Sequence, residues 1–577
     1  MSLFSESFKR VLQSPSIYRY LTVLGLLLIL PSLFSGFFAD DFSHAALINN
    51  PGVLSQPDNL SFFHLFTFIT DDAQRRMHLQ AISALPWWVN PDFKLIFFRP
   101  LAELSHYIDY HWIKVAWLMH LHSLLWYALL LGLVAAMYRQ FCGTNKVAAL
   151  AFLLFVVDAS HGFTVAWLAN RNAVMAAVFA MAALLLHHQA NSDASLAKRL
   201  GSIACVAASF LSAEIGISVG VFLFFYAVFL DKSGCVKGLL KLLPALCVFI
   251  VWAMVYSYYG YGASGNKAYY VNLISMPMFF LEHFVSRFPQ AIAIQFNFLP
   301  LHMIGVASAI LVTLGCVFFF VLLAFVITQK SRLLYFFFAA MVFSVVPIAS
   351  AEVQERNMLF VGIAAAPLLA HFIAFLLRIV KTTKFKVIAV AASSLAAILL
   401  CSHVLISALL MLPTAFAPKL MAQPAIETAL SLPDDIADKK IVSIGTPLFE
   451  AGYLSTIRWT VNKSVPLRFW NVVTHLQQAT IKRLDTHSLV IQRDAGLLGG
   501  LDFLLRDKKL DPFAAGDVYM VDELRIEILA VNAEAVPSVM KISSKVSFDD
   551  ASMQLVFWKN RALLPLHLAV GEEMSFD

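Results

Sequence analysis

Two adjacent carboxylates, Asp40 and Asp41, directly follow an uncharged apolar run, LTVLGLLLILPSLFSGFF at residues 21–38. The run is long enough to cross a bilayer. A carboxylate is costly to hold at the edge of a lipid phase, so acids there point to function. Paired acids suit a general base that takes a proton from an acceptor hydroxyl or amine, with the neighbour tuning it. They also suit a cation site. The plainer alternative is a solvated pair capping an interfacial helix.

A second set lies in FFRPLAELSHYIDYHW at 97–112. Pro100 favours a helix start. On a helix from there Glu103, His106, Tyr107 and Tyr110 share a face, with Arg99 at its head and Asp109 at its edge. Arg99 could hold a phosphate or orient Asp40 or Asp41, or form a surface ion pair. Further along, Asp158 ends one span and Arg171 opens the next, in VDASHGFTVAWLANRN. An arginine at an outer helix end runs against the usual charge bias, which suits phosphate binding; snorkelling to headgroups is the alternative. Glu214 sits in the turn SAEIG, and AEVQERNMLF at 351–360 brings Glu352, Glu355 and Arg356 to the same side. His120 and His122 are two apart, a poor zinc spacing, and read as satisfied polar residues inside a bundle.

The elements that must position these residues are membrane spans. The chain has 577 residues, 60% hydrophobic and 14% charged, which excludes an ordinary soluble protein. The net charge of +6 sits in short loops and does not mark a nucleic-acid partner. About eleven spans are expected, at 21–38, 115–138, 147–157, 172–188, 200–213, 217–230, 239–258, 301–327, 333–350, 357–378 and 387–410. Lys9, Arg10 and Arg19 precede the first, which is read as a retained anchor, so the N-terminus is expected inside. Loops carrying Lys198/Arg199 and Lys381/Lys384/Lys386 also fall inside, and the acids named above fall outside. The six cysteines all precede residue 411 and show neither metal spacing nor a disulfide framework for the region beyond.

Two external segments are long. The first, 39–114, contains SFFHLFTF and LPWW, which suit interfacial helices. The second, from about 259 to 300, opens on YYGYGASGNKAYY and continues into a Pro-interrupted helix candidate. Pro413, Pro418 and Pro424 mark a linker from about 411. The chain therefore divides into a membrane domain, 1–410, and an extracytoplasmic domain, 411–577. The latter is mixed α/β and partly β-rich, with strands at LRIEIL, KISSKVSF and MQLVFW.

The ordered set ADD after the first span, FRPLxxLSHxxD before the second, WLANRN opening the fourth, the SAE turn and QERNMLF resembles GT-C fold membrane glycosyltransferases. The branches in question are the protein O-mannosyltransferase-like and aminoarabinose-transferase-like ones with their bacterial relatives, over about residues 15–380. The resemblance implies a polyprenyl-phosphate sugar donor, inverting transfer without a nucleotide, and an acid of the first external loop as base, here Asp40 or Asp41. It implies basic residues on the donor phosphate, for which Arg171, Arg356 and Arg99 are the matches. Glu103, His106, Asp109, Asp158, Glu214 and Glu355 are the supporting candidates. No cofactor is expected; a divalent metal stays open, with Asp158 and Asp40 as its ligands if one is used. Some relatives have Glu second in the acid pair, where this chain has Asp.

The expectation is thus an integral-membrane glycosyltransferase of a bacterial inner membrane, acting at the outer face on a glycan, lipid or protein acceptor. The competing readings are a transferase or ligase of whole lipid-linked glycans, a transporter or flippase, and a non-catalytic scaffold. A transporter would need charges buried mid-span along a path, which the expected spans hold few of.

Overall fold

The structure is a computed structural model that describes residues 16–54, 64–265, 270–273, 276–297 and 307–577. Lys9 and Arg10, the first residues of SFFHLFTF, part of YYGYGASGNKAYY and the start of the 301–327 span lie outside the described residues. The chain forms two compact units.

The first unit comprises residues 1–36, 98–260 and 273–419 and is helical. Each of the eleven apolar segments contains a helix, but they are not eleven equal spans. Among the described residues, six stretches are long and apolar enough to cross a membrane: Ile17–Phe34, Ala116–Phe141, Leu168–Asp193, Ala309–Gln329, Leu359–Thr382 and Lys386–Leu430. Asn145–Val156 and Ser160–Ala166 make a seventh if counted together, bent by 57°. Glu214–Phe229, Leu243–Tyr258 and Arg332–Ile348 are apolar but shorter, below the roughly 20 residues a perpendicular crossing takes. Small residues let backbones approach inside this unit. A Cβ on Gly216 would stand 2.2 Å from the Ser209 carbonyl oxygen, and Ser209 Oγ donates to Ala176 O at 2.9 Å. Tyr138, fully buried, donates to Ile363 O at 2.6 Å.

The expected linker is instead helix. Ser407–Leu430 runs unbroken through Pro413, Pro418 and Pro424. Each proline removes one ladder hydrogen bond, and the apolar context of the rest outweighs that local loss. The Pro-interrupted helix is found as expected, at Pro277–Asn297 with Pro289 inside.

The second unit gathers residues 37–97, 261–272 and 420–577. Its limits differ from the 1–410 and 411–577 division: most of the first external loop belongs to the same compact body as the C-terminal region. Three sheets build it. β1 (Thr67–Ile69), β2 (Lys94–Ile96) and β3 (Gly262–Ser264) are antiparallel neighbours in that order. β4 (Lys440–Ile444) and β5 (Arg468–Val473) are parallel, joined through the helix Leu448–Thr460. The six-stranded antiparallel sheet begins with β6 (Thr480–Arg483) and β7 (Ser488–Gln492) and continues in β8 (Val518–Val521), β9 (Leu524–Val531) and β10 (Pro537–Ser544). β11 (Met553–Lys559) pairs parallel to β4 and antiparallel to β12 (Ala562–Pro565), and β13 (Glu573–Ser575) closes the six-stranded sheet beside β6. The expected strands at LRIEIL and MQLVFW fall in β9 and β11, while of KISSKVSF only 541–544 is strand, the end of β10.

The aromatic stretches of the first loop are not interfacial helices. Thr67–Ile69 is strand β1. Trp87 and Trp88 are buried in the core of the second unit with Val442, Ile444 and Trp470, and Trp87 Nε1 donates to Val472 O at 2.9 Å. Both indoles gain from burial in an apolar core, and Trp87 also has its N–H satisfied. Ser83 completes the join: its Oγ donates to Phe469 O at 2.7 Å and accepts from Asn471 N at 2.7 Å. The first loop thereby ties to the edge of β5.

Candidate functional site

The acid pair opens the helix Asp40–Asn49 in the second unit. The residue before it, Ala39, has φ +50° and ψ −118°. A non-glycine residue in that region stores about 1–3 kcal/mol of strain, which persists only where the surroundings impose it. The two acids are treated differently. Asp41 is fully buried, and its Oδ2 accepts the Phe38 N–H at 3.0 Å. Asp40 is half-buried, and its Oδ1 accepts the Tyr453 hydroxyl at 2.7 Å. Tyr453 lies on Leu448–Thr460, which packs against the acid-bearing helix. On the same helix Glu450 has its pKa raised by burial. Two carboxylates in unlike settings can take unlike roles: Asp41 holds the bend, and Asp40 is the one that solvent reaches.

In the first unit a buried cluster forms around Asp109. The helix Pro100–Tyr107 passes into a π-helical turn, Ile108–Ile113, which ends on Lys114 at φ +56°. Such turns often mark functional sites. Asp109 and Arg171 are both fully buried, with Nη1 to Oδ2 at 2.5 Å. His122 Nδ1 lies 2.8 Å from Asp109 Oδ1. Arg171 also donates from Nε to Ser123 Oγ at 2.9 Å, from Nη1 to Ser105 Oγ at 2.9 Å and from Nη2 to Met119 O at 2.8 Å. Its guanidinium is therefore committed to protein groups. Glu103 and His106 are buried on the helix Pro100–Tyr107, with the His106 and Tyr110 rings stacked at 6.0 Å.

The other arginines differ. Arg99 Nε and Nη2 both meet Glu214 Oε2 at 2.7 Å, and Tyr256 donates to Glu214 Oε1 at 3.3 Å. This joins two motifs 115 residues apart. Arg356 sits in the short turn Glu355–Asn357 just before the helix Leu359–Thr382. Its Nε donates to Gln354 Oε1 at 2.7 Å, and its guanidinium carbon lies 4.6 Å from the Trp167 ring centre. Among the described residues its two Nη groups have no partner. A flat cation held on an indole with its fork unspent has the geometry to receive an oxyanion.

Asp158 lies at the break of the bent helix pair, where its Oδ1 accepts the Ser160 N–H at 3.0 Å. It lines a small cavity with Gln295, His403 and Ser407. His120 Nε2 is 2.8 Å from Gly36 O, in keeping with a satisfied polar residue. Among the described residues no three His, Cys, Asp or Glu side chains come together as a metal site. The structure adds groups that the sequence reading passed over, Tyr453, Ser105 and Ser123. No spacing signal betrays them, because each is defined only by what folds against it.

No family model matches the chain, and no curated protein does. Among solved structures it is similar to ArnT from Cupriavidus metallidurans bound to undecaprenyl phosphate, at 15% identity and TM-score 0.37, covering 78% of this chain and 86% of that one. The apo form of the same enzyme matches at 12% identity and TM-score 0.38, covering 78% and 88%. The oligosaccharyltransferase of Archaeoglobus fulgidus tethered with an acceptor peptide matches at 11% identity and TM-score 0.38, covering 79% of this chain and 64% of that one.

Proposed function

We propose that the protein is an integral-membrane glycosyltransferase that moves a sugar from a polyprenyl-phosphate donor to a glycan, lipid or protein acceptor at the outer face of the membrane. The acceptor oxygen or nitrogen forms a bond to the anomeric carbon as the bond from that carbon to the phosphate oxygen breaks. The acceptor proton passes to a carboxylate, and the polyprenyl phosphate leaves with the electron pair. Asp40, half-exposed, takes the base role and Asp41 holds its turn. Arg356 binds the donor phosphate, with Arg99 beside Glu214 as the second cation. Arg171 acts through Asp109, shaping the helix that follows Arg99, while Glu103, His106, Asp158 and Glu355 support the site. A divalent ion, if one takes part, would find its acids in Asp40 or Asp158.

The observation that carries this reading is Arg356, a guanidinium set against Trp167 with its fork unspent at the mouth of an apolar helix. The transporter reading is weaker, because the charged groups gather at helix ends and breaks (Arg171, Asp158, Arg356) and not along mid-span paths. The test is binding of undecaprenyl phosphate to the purified protein in nanodiscs. Arg356→Ala should weaken binding about 10- to 100-fold, as loss of charge-assisted hydrogen bonds does. Arg356→Lys, which keeps the charge but not the fork, should fall between. Equal binding by all three proteins would remove the donor role. Mass spectrometry of envelope glycans with and without the protein would then name the sugar and the acceptor.

A further inference from the structure

We propose that Tyr453, on the C-terminal part of the chain, is the positioning residue of the base: its phenol holds the Asp40 carboxylate in place and in its ionised form. The inference rests on the reading of Asp40 as the base, and it gives the C-terminal region a share in the chemistry.

Three observations support it. The first is the bond itself, from Tyr453 hydroxyl to Asp40 Oδ1 at 2.7 Å, between residues 413 apart in the chain. The second is how firmly the donor is mounted. The Phe449 ring stacks on Phe38 at 5.5 Å and meets the Tyr453 ring at 4.9 Å. At the far end of the same helix Arg458 is fully buried. It donates to Ser464 O at 2.6 Å, Ala429 O at 2.6 Å, Leu432 O at 2.9 Å and Pro433 O at 2.7 Å. Leu448–Thr460 is thus pinned at both ends, and the phenol cannot drift without breaking a ring stack or stranding a buried guanidinium. The third is the division between the acids, since Asp41 is spent on the Phe38 N–H and the tyrosine addresses Asp40.

The chemistry follows from the donor. A hydroxyl that donates to a carboxylate favours the ionised form, so the base stays ready to accept a proton at lower pH. It also fixes the plane of the carboxylate, which a base needs if the acceptor proton is to travel a set path. Among the described residues, the elements that pack most closely against the acid-bearing helix carry these titratable groups. Leu448–Thr460 offers Glu450, Tyr453 and Arg458, and the last is bound to carbonyls. The short turn Pro51–Leu54 offers none. On the acid's own helix are Asp41 and His44, whose ring lies against Phe66 at 5.0 Å.

The experiment needs no knowledge of the donor sugar. Infrared difference spectra of the full-length protein are recorded against pH, with Asp40→Asn as the blank that assigns the Asp40 carboxyl band. In Tyr453→Phe the protonation midpoint of that band should rise by about one to two pH units. Difluorotyrosine placed at position 453, a stronger donor, should move it the opposite way, and it preserves the fold should the phenylalanine variant fail to assemble. A loss of packing alone would not produce shifts of opposite sign. A midpoint that stays put in both variants overturns the proposal. Glycan transfer is followed alongside. If Asp40→Asn transfers normally while the midpoints shift, the base assignment has failed and Tyr453 loses its positioning role with it. If Asp40→Asn is inactive and the midpoints shift as stated, the proposal stands.

Discussion

Replacing Arg171 by alanine separates two jobs that an arginine at a helix start can do. Its guanidinium is fully buried and bonded to Asp109, Ser105, Ser123 and the Met119 carbonyl. Removing it strands the Asp109 carboxylate, itself fully buried, beside His122. Breaking a buried ion pair in this way costs about 3–5 kcal/mol. At about 2 °C per kcal/mol for a unit of this size, the apparent Tm should fall by roughly 6–10 °C. Asp109→Asn alone should cost a similar amount, because it leaves the guanidinium uncompensated. The pair Asp109→Asn with Arg171→Ala removes both charges, so it should lose less than the sum of the single changes, by roughly 0.5–3 kcal/mol. The assay is thermal unfolding of the full-length protein in detergent for the four members of the cycle, with undecaprenyl phosphate binding measured on the folded protein. Arg171→Ala that melts with the wild type but no longer binds undecaprenyl phosphate would refute the reasoning. It would show the side chain to be a ligand of the donor and not a strut for Asp109.

Asp40→Asn should lower glycan transfer about 100- to 10,000-fold with folding intact. Asp41→Asn keeps an oxygen for the Phe38 N–H and should keep far more activity; the reverse order would transfer the base role to Asp41. Burial pushes the Asp502 carboxyl from 3.8 up to about 6, against hydrogen bonds from Thr474 and the Gly499 N–H. The native state then holds a proton that the unfolded chain has released, so stability falls as pH rises from about 4 to about 6 and levels off above. The loss totals about 3 kcal/mol. Thermal unfolding across that range should show this slope, and Asp502→Asn should flatten it; a slope unchanged in the variant would assign it elsewhere. In a cysteine-free background an impermeant maleimide applied to spheroplasts should label a cysteine at the exposed Ala533 and spare one at Ser192. The opposite pattern would place every candidate residue on the cytoplasmic side.

The sequence disclosed most where one residue type has one physical use. Apolar runs announced the helices, and the alternation in LRIEIL announced β9, whose side chains are buried and exposed in turn. It disclosed least where a residue has two uses and the fold selects one. The three prolines of 413–424 read as a linker, but the helix absorbs them. Trp87 and Trp88 read as membrane-surface anchors, yet a sheet edge nearly 400 residues away buries them. Arg171 shows the same ambiguity inside the site. An arginine opening a span suits a phosphate on paper, and only the π-turn that aims Asp109 at it shows where the charge is spent. Tyr453 was invisible for a related reason, since a tyrosine gains meaning from an acid 413 positions away.

That separation also sets a timetable. Residues 37–97 share a compact unit with 420–577, so the first loop is synthesised long before its partners exist. At about 5–20 residues per second, the ribosome needs roughly 20–75 s to go from Phe97 to β5, where Ser83 and Trp87 find their hydrogen bonds. Through that interval two tryptophans and an edge-seeking segment wait unpaired, and the turn at Ala39 is held only by local bonds such as that from the Phe38 N–H to Asp41. The Asp40 carboxylate meets its Tyr453 partner only when the last quarter of the chain arrives. On the proposed reading, a prematurely terminated chain lacks the Tyr453 contact to Asp40 and is expected to be inert, whereas a finished one gains it in a single folding event.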